Sequence, residues 1–360
     1  MKKFFPLALG SFLLLLIGSG AVLAQTAASL ATLPEADTLI YINTQRILNE
    51  AAPRLLPEQQ LADMRKSFAD IKQFAGVDPA KVDYLIIAVR FRKPAADLSF
   101  QPPEFMAMTS GDFSAEALIG LARAASQGKL RDEKYGTKTL SLMTIDPLVK
   151  EAEKNPLLKS FTEVAIVPLS ANTIAVGTPG YLMAAVDAAD GTGRISAARL
   201  SSLLRDPSVL ISVAGSPWNS FGKSFGLQGT EPNPRAPKCD SNLGDFYAAV
   251  TMDTANFTLR GSLGADNPDT AQIMSNLLFA LLRHATSAVP DKNAQTILQT
   301  IAVKAQDNEV VLSADMPQQM VLDLIKTQMT PKKQEAAEST PVATPPAKRP
   351  VAKRRRRGRT

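Results

Sequence analysis

The stretch EVAIVPLSANTIAVGTPGYLMAAVDAA, residues 163–189, sets the pattern from which the rest of the chain can be read. Glu163 to Leu169 is an extended apolar run, Ala171-Asn172 a turn, Ile174 to Gly177 a second run, and Gly180 to Ala189 a helix. The same order and spacing recur at Ile301 to Ala305, a turn at Asp307-Asn308, Glu309 to Ala314 and a helix from Pro317 to Gln328. A third unit runs from Phe246 to Thr251, turns near Thr254-Ala255-Asn256, and returns from Phe257 to Leu263. It then enters a long helix behind Asn267-Pro268-Asp269, where a capping Asn, a Pro at the first helical position and an acid in the first turn mark the start. Hairpins followed by a crossing helix predict an α+β fold, with antiparallel sheets, helices on one face and two related halves built from strand-turn-strand-helix units.

Working outward, Leu39 to Asn43 reads as a strand. Leu61, Met64, Phe68, Ile71 and Phe74 recur at three and four residues, one apolar stripe on a helix from Pro57 to Ala75 that Gly76 stops. Two strands follow, Asp83 to Phe91 and Glu104 to Ser110, then a helix capped by Ser114 and ending near Ala125. A hairpin turns at Gly136-Thr137 into Thr139 to Ile145. The reset at Asp190 to Arg194 before a short helix, Ala197 to Leu204, divides the body into residues 25–190 and 191–330. Ser216 to Leu243 is a long loop rich in Pro and Gly, of the kind that is either a binding element or simply mobile.

The ends carry the compartment and the charge. Lys2 and Lys3, the apolar run Leu7 to Ile17 and the small residues Val22 and Ala24 predict a signal peptide over residues 1–24, cleaved before Gln25. No Cys lies close behind the apolar run, and no second stretch of membrane-spanning length exists downstream. The expectation is an exported protein, periplasmic or extracellular. Residues 331–360 hold ten basic and two acidic residues and five prolines, which predicts a disordered tail of net +8. Without it and the two leader lysines, 28 basic against 32 acidic residues leave the body at −4. The chain's formal +6 therefore belongs to its tail. Lys348, Arg349, Lys353, Arg354, Arg355, Arg356, Arg357 and Arg359 are the candidate polyanion-binding residues. Their partner on the far side of a membrane would be an anionic envelope surface or polymer, and the absence of interleaved aromatics speaks against sequence-specific nucleic-acid reading.

One His and one Cys among 360 residues exclude a His/Cys zinc cage, a disulfide framework and a pair of catalytic imidazoles within one chain. Cys239 has no intrachain partner, and no calcium-loop pattern occurs. Gly222-Lys223-Ser224-Phe225-Gly226 matches the G-x-S-x-G elbow of hydrolases, but Pro217 and Trp218 separate it from the preceding strand and no helix pattern follows. His284 falls on the stripe of Ile273, Leu277 and Leu281, as a structural, half-buried residue. Trp218, the only Trp, is the residue to test first in a ligand search. No catalytic, metal or cofactor residue is assigned. The expected function is an exported, non-enzymatic, envelope-associated binding or scaffolding protein tethered by its tail; the alternative is an envelope hydrolase using Ser224 or a carboxylate site.

The segment Leu33-Pro34-Glu35-Ala36-Asp37-Thr38-Leu39-Ile40-Tyr41-Ile42-Asn43, directly after a signal peptide, resembles the start of exported bacterial families of unknown function with a Pro-x-x-Asp-plus-strand entry and repeated α+β halves. The resemblance implies an envelope location. It implies no activity and transfers no catalytic residue.

Overall fold

A computed structural model describes residues 29–92, 102–144, 163–216, 244–289 and 292–329. The strands are β1 (Thr38–Ile42), β2 (Val82–Arg90), β3 (Glu104–Gly111), β4 (Leu130–Tyr135), β5 (Lys138–Thr144), β6 (Glu163–Ser170), β7 (Thr173–Gly177), β8 (Val209–Gly215), β9 (Phe246–Met252), β10 (Asn256–Gly264), β11 (Ala302–Gln306) and β12 (Glu309–Pro317). The main helices are α1 (Glu58–Ala75), α2 (Ala115–Ala125), α3 (Pro179–Ala189), α4 (Ala197–Leu203), α5 (Pro268–Ala288), α6 (Lys292–Thr300) and α7 (Gln318–Met329). An irregular helical run, Thr44–Arg46, Ile47–Ala51 and Ala52–Leu55, follows β1.

All twelve strands join one antiparallel sheet in the order β11-β12-β10-β9-β8-β1-β2-β3-β7-β6-β5-β4. The α+β class and the antiparallel pairing are as the sequence predicts. Each predicted hairpin closes at its turn: Tyr135 opposes Lys138 around Gly136-Thr137, and Gln306 opposes Glu309 around Asp307-Asn308. Gly136 and Asp307 take the positive φ that such tight turns require. Ser114 and Asn267 cap α2 and α5 through their side chains, and Gly76 ends α1 in the left-handed conformation.

The sequence predicts helices on one face, whereas the structure places them on both. Register shows why. On one face, Leu39 and Tyr41 of β1 stand beside Ala88 and Ile86 of β2, Met106 and Met108 of β3, and Ala165 and Val167 of β6. This face is sealed by Tyr181, Leu182, Ala185 and Val186 of α3, Leu203 of α4, and Leu30 and Leu33 of the entry segment, which together form the main core. The alternate residues are apolar as well, so the other face also needs cover. There α2 packs Ala115 and Ile119 on Ile166 and Ile174. At the opposite end of the same face, Ala51, Leu55 and Val321 close over Leu210, Met252, Phe257 and Met316, and α5 lies over β11 and β12.

The sheet's two margins are guarded. Edge strand β4 presents Arg131, Asp132, Glu133 and Lys134 in succession, and edge strand β11 is five residues long with Lys304 at its centre. Charge and shortness both discourage pairing with another chain's strand.

Candidate functional site

The Pro-x-x-Asp entry segment is where distant parts of the chain meet. Leu33 O accepts from Ile195 N at 2.8 Å, and Glu35 N donates to Gly193 O at 3.2 Å. Glu35 O accepts from the Tyr181 hydroxyl at 2.9 Å, and Ala36 O accepts from the Arg199 guanidinium. The Asp37 carboxylate accepts from Phe91 N at 2.7 Å, while its backbone receives Ser216 N and donates to Val89 O. Asp37 is thus the residue that fixes the start of β1 between β2 and β8.

Beside this segment lies a charge network. Glu104, 5% exposed, accepts both the Nε (2.8 Å) and Nη2 (2.5 Å) of Arg90 on one oxygen and the Arg92 guanidinium on the other. The Arg90 guanidinium carbon also sits 4.5 Å from the centroid of the Tyr181 ring, a cation–π contact. Burial pushes the Tyr181 phenol well above its ordinary range, so it remains a neutral hydrogen-bond donor. An open recess of about 360 Å³ is lined here by Glu35, Asp37, Arg90, Ser196 and Arg199, with Ala36, Phe91 and Ile195. Its charges oppose one another: Glu104 takes Arg90, and Asp245 takes Arg199. The arrangement ties the entry segment to β2, β3, α3 and α4. Among the described residues, no group of three or more His, Cys, Asp or Glu could hold a metal ion.

A second recess, about 490 Å³, lies between α2 and the β4–β5 hairpin. Its Asp132 accepts from Ser141 and Arg123, which hold the carboxyl below the usual range.

The apolar surface lies elsewhere. Ile273, Leu277 and Leu281 of α5 are 55%, 58% and 55% exposed, and Phe279 is exposed too. The helix turns Ala271 and Ser275 inward, with Met274, Leu278, Leu282 and Thr286 half-buried. On the same face of the sheet Ile211 and Met143 are exposed, and Ile40, Ile87 and Val89 are only half-buried.

Of the residues singled out from sequence, His284 lies on α5 and is exposed, whereas the expectation was half burial. The stripe it shares with Ile273, Leu277 and Leu281 faces outward, because the opposite ridge carries Ala271 and Ser275, small enough for the helix to approach the sheet closely. Ser224, Trp218, Cys239, the leader and the basic residues Lys348, Arg349, Lys353 to Arg357 and Arg359 lie outside the described residues. Glu104, Arg90 and Tyr181 escaped sequence reading. The only available signal was the Pro-x-x-Asp motif, whose partners are remote in sequence.

No protein-family model matches the chain, and no curated protein matches it. Among solved structures, crystal form III of TP0453 aligns with TM-score 0.43 and 11% identity, covering 83% of this chain and 97% of that one. Form I gives 0.37 and 10% over 83% and 96%, and form IV 0.36 and 10% over 82% and 95%. Likeness at this level carries no argument about function. No described helix is long and apolar enough to cross a membrane.

Proposed function

We propose that the chain acts by binding and not by catalysis, as an exported protein held at an anionic envelope surface by residues 331–360. The observation that supports binding is the contrast between its polar and apolar groups. The polar side chains that the fold gathers around Asp37 and Glu104 satisfy one another, while a row of large apolar side chains on α5 is left open. The tether rests on charge: a net −4 body carries a +8 segment, and a polycation binds any polyanion with counterion release. Lys348, Arg349, Lys353 to Arg357 and Arg359 are its contacts. Lipid phosphates or anionic wall polymers are the partners of matching chemistry.

The test is cell fractionation of the full chain and of a chain ending at Thr330, washed at low and high salt. Retention of the full chain at low salt, its release at high salt, and loss of low-salt retention on deletion are the expected results. Equal retention of both chains at low salt would overturn the tether.

A further inference from the structure

We infer that the outward ridge of α5 is a lipid-docking surface, which seats Ile273, Leu277 and Leu281 in the interfacial region of an anionic bilayer. The inference rests on the proposed tether and names a second element that works with it. α5 is 21 residues long, and from Thr270 to Leu282 it carries no charged side chain. A helix on a sheet normally turns a polar face to water. Here one ridge is used against β11, β12 and α6, and the opposite ridge repeats Ile273, Leu277 and Leu281 at four-residue spacing, each more than half exposed. With a rise of about 1.5 Å per residue these three side chains span roughly 12 Å along the axis. An interfacial helix lies in the plane of the bilayer with its apolar face toward the acyl boundary, so a row of this length would lie along the surface with all three side chains turned to the lipid.

The placement fits a surface. α5 lies over β11, the outermost strand, and so stands at a margin of the sheet. Arg283 follows the uncharged stretch directly and His284 ends the ridge, both exposed where phosphates would lie. α6 joins α5 to α7, and the chain continues from α7 into the +8 segment, so the ridge and the polycation emerge from one layer of helices. A single weak apolar signal binds membranes reversibly, and a polybasic segment beside it makes the attachment stable. A second copy of the chain is a poorer occupant. Both sheet edges are guarded, and a ridge of three side chains falls far short of the roughly 800 Å² per partner that a stable interface buries.

The test uses the processed chain, purified from cells that export it, with vesicles of phosphatidylglycerol and phosphatidylethanolamine. The variant Ile273→Gln/Leu277→Gln/Leu281→Gln changes only exposed positions and should keep the circular dichroism spectrum and melting temperature. Co-sedimentation at low salt, where ridge and tail act together, is expected to fall about tenfold or more. In parallel, Leu277→Trp on a Trp218→Phe background should shift its emission to the blue on adding vesicles and be quenched by brominated acyl chains. Unchanged co-sedimentation of the triple variant, or an unshifted and unquenched Trp, would overturn the docking surface. So would a dimer in sedimentation velocity that the triple variant dissolves, since that would make a second copy the occupant. Deletion of residues 331–360 separates the two readings. If it leaves low-salt binding intact while the triple variant loses it, the tether fails and the ridge stands.

Discussion

Glu104 and Arg90, opposite each other on neighbouring strands β3 and β2, form a two-donor ion pair at the end of the main core, with the guanidinium also resting on Tyr181. The carboxylate is buried, while Arg90 and Arg92 reach water at 31% and 54% side-chain exposure. Removing a fully buried partner costs about 3–5 kcal/mol, and the arginines' access to solvent lowers that. Glu104→Ala should therefore lose about 2–3 kcal/mol in urea unfolding, and Tyr181→Phe, which deprives Glu35 O of its donor, about 1 kcal/mol. A Glu104→Ala loss under about 0.5 kcal/mol would mean that the network is decoration on the core.

What the sequence makes legible here is local. The turns at Gly136-Thr137 and Asp307-Asn308, the caps at Ser114 and Asn267 and the stop at Gly76 each rest on a few adjacent residues, and each forms as the pattern predicts. The pairing of β1 with both β2 and β8 does not show in any short window, because Ile42 opposes Ile211 across the chain. Nor does the network at Asp37, where the Tyr181 hydroxyl meets a carbonyl 146 residues away. Periodicity finds two ridges on α5 but cannot say which faces inward. The volume of Ala271 and Ser275 against that of Ile273 and Leu277 decides it, once there is a sheet to approach.

Two glycines mark where strands come too close for a side chain. A Cβ on Gly215 would lie 2.2 Å from Asp37 O, and one on Gly177 would lie 2.2 Å from Phe105 O, both against backbone that cannot give way alone. Gly215→Ala and Gly177→Ala should each cost more than about 2 kcal/mol through strand displacement. Gly120 of α2 meets nothing within 4 Å, so Gly120→Ala should stabilise by about 0.5–1 kcal/mol. Thermal melts of the three single variants, run side by side, check the contrast. A neutral Gly215→Ala would contradict the close approach at β1.

The Asn267 side chain accepts from Thr270 N at 2.8 Å at the start of α5. Asn267→Ala should destabilise by about 1 kcal/mol, and Asn267→Asp should restore stability because an aspartate both caps and complements the helix dipole. Hydrogen exchange should locate the loss in the first turn of α5. Faster exchange confined to β9 and β10 would argue against this account.

The five tyrosines tie stability to alkaline pH with a definite sign. Burial, helped by Tyr84 and Asp83, pushes Tyr41 up to about 12, and burial raises Tyr84, Tyr181 and Tyr247 as well. Tyr135 is raised first by its hydrogen bond to Asp187. In each case the folded state holds the phenolic proton more tightly than an unfolded tyrosine with a pKa of 10.0. The stabilisation is therefore fully present below pH 10, shrinks as the unfolded chain begins to ionise there, and is gone above the folded values. Tyr41 alone contributes about 2–3 kcal/mol to this fall by pH 12. In urea titrations the unfolding midpoint should hold steady to pH 9.5, about half a unit below the free-tyrosine value, and drop steeply above it. The ultraviolet phenolate band should lag a urea-unfolded sample over the same range and rise together with the loss of helix signal. Tyr41→Phe should flatten the fall between pH 10 and 12, since Phe has no proton to lose and burial raises Tyr41 to about 12. If the native chain ionised all its tyrosines near pH 10 with its fold intact, the burial of Tyr41, Tyr84 and Tyr181 in the core would be wrong.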